Sequence, residues 1–131
     1  MKPGLLPGRQ AEAVVTVSED MVAWFEELGV VHRVYSTWTM VRHLELASRK
    51  VILPFLEADE DAVGHSISVT HFAPTPVGGV VTARATLLRI DGNRIVCALE
   101  AHNDREKIGT GENVQVVLPR ARLVERFAAP S

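Results

Sequence analysis

Three polar residues, Thr37, Glu45 and His71, sit in places where a folded chain could put them to chemical use. Thr37 opens the segment TWTMVRHLELASRKVILPFLE, which runs to Glu57 with helical periodicity. A hydroxyl from Ser36 or Thr37 can cap that helix by accepting from a free backbone N–H. The same place suits catalysis, because unpaired N–H groups and the positive end of the helix dipole stabilise a developing oxyanion. Glu45 falls at the border of the apolar stripe, between Val41 and Ile52 in helical angle. A carboxylate there is partly desolvated, although a side chain that reaches past the edge of the stripe to water is the plainer explanation. His71 alternates with His65, Ile67 and Val69 along HSISVTHF, a strand face expected to meet the helix or another subunit. It could be a general base or a core histidine with its hydrogen bonds satisfied. Each signal alone is weak.

The elements that must position these residues follow from the periodicity. Met1–Gly8 holds two prolines and two glycines, and residues 1–9 read as an irregular arm. Ala11–Val17 is short and β-branched, a first strand. Asp20–Leu28 is expected to form a turn or two of helix ended by Gly29, with Val30–Ser36 extended after it. In the long helix Met40, Val41, Leu44, Ala47, Val51, Ile52 and Phe55 share one face, with Arg42, Arg49 and Lys50 opposite. Pro54 removes one intrahelical bond and loosens the last turn.

Beyond the acidic loop Glu57–Asp61 the period becomes alternating. His65–Phe72 is followed by the connection APTPVGG, then by Val81, Ala83, Ala85 and Leu87 on one strand face. Asp91-Gly92-Asn93 is a hairpin signal. Ile95, Cys97, Leu99 and Ala101 follow, and Ile108 to Leu118 carries the last long strand. Residues 120–131 read as a tail, basic at first and then without pattern. One helix with an apolar stripe and several strands with one apolar face each imply an α+β domain over residues 1–131. Its antiparallel sheet of about five strands wraps around the helix.

Composition narrows the function classes. A formal charge of −2 gives no reason to expect nucleic acid or a membrane surface as the main partner. Neither a signal peptide nor a membrane-length apolar run occurs, and the single cysteine, Cys97, cannot pair within the chain. A cytoplasmic protein is expected. His65 and His71 lie too far apart to chelate one metal without further ligands, so no metal is expected. Cys97 sits among inward residues and reads as buried and inert. Gly109-Thr110-Gly111 suggests a bulge or a close strand approach rather than a phosphate loop, because no helix follows. Arg120, Arg122 and Arg126 could reach phosphates, but a solvated basic tail is simpler.

Three segments carry a resemblance: VYSTWTMVRHLELAS, LPFLEADEDAVGHSISVTHFAPTPVGG and AHNDREKIGTG. Over roughly Val34 to Leu118 the chain resembles the fluoroacetyl-CoA thioesterase family of hotdog-fold proteins. That resemblance implies a homodimer with sites at the interface, acting on a small or medium acyl-CoA thioester. It implies Thr37, Glu45 and His71 as the catalytic group, with Gly64 near the thioester. The family's shielding phenylalanines are replaced by Leu28 and Val31, and an arginine on its last strand by Gln115. Fluoroacetate selectivity is therefore not carried over, whereas thioester hydrolysis is.

In that reading His71 acts as base, Thr37 orients or supplies the attacking oxygen, and Glu45 polarises His71 or attacks directly. CoA thiolate is a good leaving group, so no cofactor is expected beyond the CoA of the substrate. Two other readings keep the fold: an enoyl-CoA hydratase or dehydratase, and a non-catalytic acyl-CoA-binding module. His43, on the polar side of the helix, does not suit the first.

Overall fold

A computed structural model describes residues 1–128 of the 131. Strand β1 (Gln10–Thr16) leads through a short 3-10 turn into a hairpin of β2 (Val22–Phe25) and β3 (Gly29–Tyr35). Helix α1 (Thr37–Ile52) follows, then β4 (Glu60–His71), β5 (Val80–Asp91), β6 (Arg94–His102), β7 (Lys107–Pro119) and helix α2 (Arg120–Ala128). Five strands form one antiparallel sheet in the order β1-β5-β6-β7-β4, and β2-β3 stands apart. The sheet is curled, and α1 touches all five of its strands. Among the described residues no helix is long and apolar enough to cross a membrane.

The core forms where two periodicities meet. Met40, Leu44, Ala47, Val51 and Ile52 of α1 are wholly buried against Val81, Ala85, Ile95, Cys97, Ala101 and Ile108. Strong helix formers such as Leu44, Ala47 and Arg49 fill α1. Leu53–Phe55, with Pro54, tightens into a 3-10 turn where the proline withdraws its N–H. Gly92 takes φ +62° in the β5–β6 hairpin.

Glycines near the start of β7 let α1 and β4 approach it closely. A Cβ on Gly109, the ladder partner of His71, would lie 2.6 Å from the Met40 sulfur. One on Gly111 would lie 2.0 Å from the Ser68 carbonyl oxygen. This is the close strand approach expected of Gly109–Gly111.

Several expectations change. Asp20–Leu28 is not a helix: Glu19–Met21 makes one 3-10 turn, and Val22–Phe25 pairs with β3. Gly29, at φ +72°, serves the hairpin turn instead of a helix end. The apolar run Val22-Ala23-Trp24-Phe25 finds a pairing partner in the β-branched Val30-Val31 segment, and tertiary pairing outweighs helix propensity. The acidic loop is shorter than expected, since β4 already begins at Glu60.

The described part of the tail is also ordered. Arg120–Ala128 is helical and buries Leu123, while residues 129–131 lie outside the described part. Its stripe is too short to register in sequence. The arm over residues 1–9 is irregular as expected, yet pinned: Leu5 is buried, and the terminal ammonium meets the Glu60 carboxylate at 2.9 Å.

Gly111→Ala should lower stability by about 1–3 kcal/mol through forced separation of β4 and β7. Urea unfolding measures this directly, and an unchanged midpoint would contradict the tight contact.

Candidate active site at the start of the helix

The entry to α1 is built by Ser36. Its Oγ accepts from the Thr39 amide at 3.2 Å and bonds the Thr39 hydroxyl at 2.5 Å. Ser36 is therefore the N-cap, and Thr37 is released from that duty. As the first helical residues, Thr37 and Trp38 have no intrahelical acceptor for their amides. Two N–H groups thus point away from the helix beside the Thr37 hydroxyl, at the positive end of the dipole.

His71 ends β4 directly against Thr37. Its Nδ1 lies 3.0 Å from Thr37 Oγ1, and its Nε2 lies 3.0 Å from the Ala73 carbonyl oxygen. A carbonyl only accepts, so Nε2 carries the proton, and in the neutral ring Nδ1 offers its lone pair to the Thr37 O–H. Burial pushes the His71 pKa below its ordinary value, partly offset by the bond to Ala73. The imidazole is thus held as a neutral acceptor facing a hydroxyl, an arrangement suited to general-base work.

The Ala73 carbonyl is itself held in place. The Tyr35 amide donates to the Thr75 carbonyl at 2.8 Å. Asn103 Nδ2 donates to Thr75 Oγ1 at 3.1 Å, and Thr75 is fully buried. Tyr35 and Asn103 thereby fix the APTP segment that presents Ala73. Neither residue carries a sequence signal of its own, because their role depends on contacts between distant segments.

Helix α1 runs antiparallel to β4, so its successive residues meet β4 in reverse order. Thr37 reaches His71, Glu45 overlies Gly64, and Arg49 Nη1 donates to the Ala62 carbonyl at 2.6 Å. A Cβ on Gly64 would come within 2.6 Å of Glu45 Oε1, so the glycine makes room for the carboxylate. Glu45 lies eight residues from Thr37, about 12 Å along the axis. The chain therefore brings Thr37 and His71 together and leaves Glu45 apart, and Ala73 takes the ring nitrogen that a polarising carboxylate would need. Within one chain both ring nitrogens of His71 are bonded to groups other than Glu45.

The remaining residues sort by position. Gln115 faces inward opposite Gly64, fully buried, with Nε2 donating to Asn113 Oδ1 at 3.1 Å. Leu28 and Val31 are exposed on the β2–β3 hairpin. Leu28 joins Trp24, Phe25 and Trp38 along an open, largely apolar surface groove of about 530 Å³ next to the helix start. His65 does not share the face of Ile67, Val69 and His71 as expected. A bulge between Gly64 and Ser66 takes it out of the ladder, and its Nε2 meets Arg94. Cys97 is buried, and burial raises its thiol pKa. Among the described residues no three His, Cys, Asp or Glu side chains cluster as a metal site would require.

The sequence pattern of the fluoroacetyl-CoA-specific thioesterases matches residues 17–121. A fluoroacetyl-CoA thioesterase of Streptantibioticus cattleyicolor is 36% identical over 85 residues, which cover 65% of this chain and 61% of that relative's length. A Thermus thermophilus hypothetical protein of the thioesterase superfamily has a solved structure that superposes with TM-score 0.93 at 40% identity, covering 95% of this chain and 92% of its own. A point mutant of the fluoroacetyl-CoA-specific thioesterase, solved with fluoroacetate and CoA, superposes with TM-score 0.83 at 28% identity over 90% of this chain and 98% of its own.

Two measurements check this geometry. Ser36→Ala should cost about 1 kcal/mol in chemical unfolding, the usual worth of an N-cap. His43 and His71 both have lowered pKa values through burial, with Arg42 adding to the effect at His43. The unfolded chain then binds more protons in mild acid, so stability should be full above pH 6.5 and fall as pH drops through the lowered folded values. NMR titration of the imidazole protons should show both rings titrating below 6.5, and an ordinary value for His71 would contradict its environment.

Proposed function

We propose that this chain, which belongs to the fluoroacetyl-CoA-specific thioesterase family, hydrolyses small or medium acyl-CoA thioesters to the free acid and CoA. The observation that carries the reading is the hydrogen bond from Thr37 to a tautomerically fixed His71 at the start of α1. With the thioester carbonyl over the first helical turn, the amides of Thr37 and Trp38 receive the charge that develops on oxygen. The Thr37 hydroxyl attacks or aligns the attacking water, and in either route the proton passes to His71 Nδ1. Overall, water adds across the C–S bond: the acyl carbon gains the hydroxyl and the sulfur takes the proton. The leaving thiolate is stable enough that neither a metal nor an organic cofactor is required.

Glu45 enters through a second copy of the chain. Strand β4 is an edge of the sheet and is 12 residues long, the kind of unpaired edge that invites another strand. Ile67, Val69 and His71 face inward after the bulge, and Ala62 and Gly64 before it. An antiparallel β4–β4 ladder centred on Ser68 pairs Ile67 with the partner's Val69. Across the bulge it pairs Gly64, with Glu45 above it, with the partner's His71. Each site of this homodimer then combines Thr37 and His71 of one subunit with the carboxylate of the other, whose charge stabilises the imidazolium formed during attack. The lone buried Cys97 supports a place in the reducing cytoplasm.

Thr37→Ala, His71→Ala and Glu45→Gln should each slow thiol release from acyl-CoAs on the order of 10²-fold or more. Loss of activity on acidification should set in below pH 6.5, because the His71 value is lowered and the base must be neutral. Mixing unfolded and refolded Glu45→Gln and His71→Ala proteins should restore about a quarter of the wild-type rate, from heterodimers that hold one intact composite site. A mixture as inactive as its parents would show that each site is built from one chain.

A further inference from the structure

We infer that Tyr35 and His43 act as a positioning pair for His71, the phenol ring bracing the imidazole edge while His43 holds the phenol. This rests on the reading of His71 as the base. Tyr35 is almost fully buried, and its hydroxyl bonds His43 Nδ1. The two rings stack with centroids 5.7 Å apart and planes 15° apart. Tyr35 also meets His71 edge-to-face, with centroids 6.3 Å apart and planes at 73°. One aromatic ring therefore touches the base and is itself held at two points, by its amide on Thr75 and by its hydroxyl on His43.

The direction of the bond follows from burial. Desolvation raises the Tyr35 pKa, so the phenol keeps its proton and can donate it to the Nδ1 lone pair of a neutral His43. His43 is available for this because burial and the neighbouring Arg42 hold it neutral. The charged groups that line the cleft beside it are Arg42 on α1 and Asp20 in the 3-10 turn. A protonated His43 would reverse the bond, its Nδ1–H donating to the phenol oxygen. Ring contacts of this kind add only modestly to stability beyond the area they bury. That is a small part of folding but matters for an imidazole that must keep Nδ1 on Thr37 and Nε2 on Ala73. His43 lies on the flank of α1 away from Glu45.

The experiment compares wild type with Tyr35→Phe, His43→Leu and His43→Asn. Asn keeps an acceptor near the Nδ1 position, and Phe keeps both ring contacts without the hydroxyl. Thiol release is followed with acetyl-, propionyl- and hexanoyl-CoA, and nitrogen-15 NMR reads the His71 ring. Tyr35→Phe and His43→Leu should lower kcat about fivefold to tenfold with KM within about twofold, since misplacing a reacting group costs rate more than binding. His43→Asn should recover at least about half of the wild-type kcat. In His43→Leu the His71 signals should depart from a single Nε2–H tautomer. Equal kcat in all four proteins with unchanged His71 signals would overturn the inference. So would a loss that His43→Asn does not rescue while the His71 ring is undisturbed, because that pattern marks packing alone. If wild type releases no thiol from any of the three substrates, the hydrolase reading fails, and the His71 spectra decide the positioning claim by themselves.

Discussion

Helix α1 is seated on the curled sheet by Met40, Leu44, Ala47 and Val51, none of which retains any exposure to water. Burial of each large side chain contributes about 1.5–3 kcal/mol, and together they fix both the depth and the rotation of the helix. The orientation along β4 follows from that seating. Because the helix runs against the strand, its first turn arrives at His71 and its third at Gly64. Small residues do the close work: Gly109 admits Met40 beneath His71, and Gly64 admits the Glu45 carboxylate. A bulkier residue at either position would tilt the helix or displace the acid.

The site is divided by the same geometry. One part, Thr37 with His71, is complete in its hydrogen bonding, every ring nitrogen of the histidine having a partner. The other part, Glu45 over Gly64, opens on a cleft formed by the edge strand at His65, Ser66 and Ile67. The bulge at His65 matters here because side chains alternate along a strand. Without the extra residue, Gly64 and His71 would face opposite sides of the sheet. With it, both face the helix.

The supports behind the histidine differ in kind from the apolar core. Tyr35, Asn103 and Thr75 form a polar brace between the end of β3, the APTP loop and the β6–β7 connection. Hydrogen bonds of this sort add little net stability each, but leaving one partner buried and unpaired is costly, and that asymmetry enforces a single arrangement. The Ala73 carbonyl is its product, and through it the tautomer of His71 is set.

Much of this was legible in the residues alone. Apolar spacing at 3.6 and at 2 residues predicts α1 and the β5–β6–β7 meander, and an acid at the edge of the stripe draws attention to Glu45. Those features are local, and periodicity reports them directly. The hairpin β2–β3 was not legible, because Val22–Phe25 becomes a strand only when Val30 and Val31 lie beside it. Nor was α2, whose apolar face buries only Leu123. The choice of Ser36 over Thr37 as the cap, the tautomer of His71, the bulge at His65 and the separation of Glu45 from Thr37 were decided by tertiary structure. Each depends on contacts between residues far apart in the chain, and no local pattern of types records which distant groups the folding of the sheet will bring together.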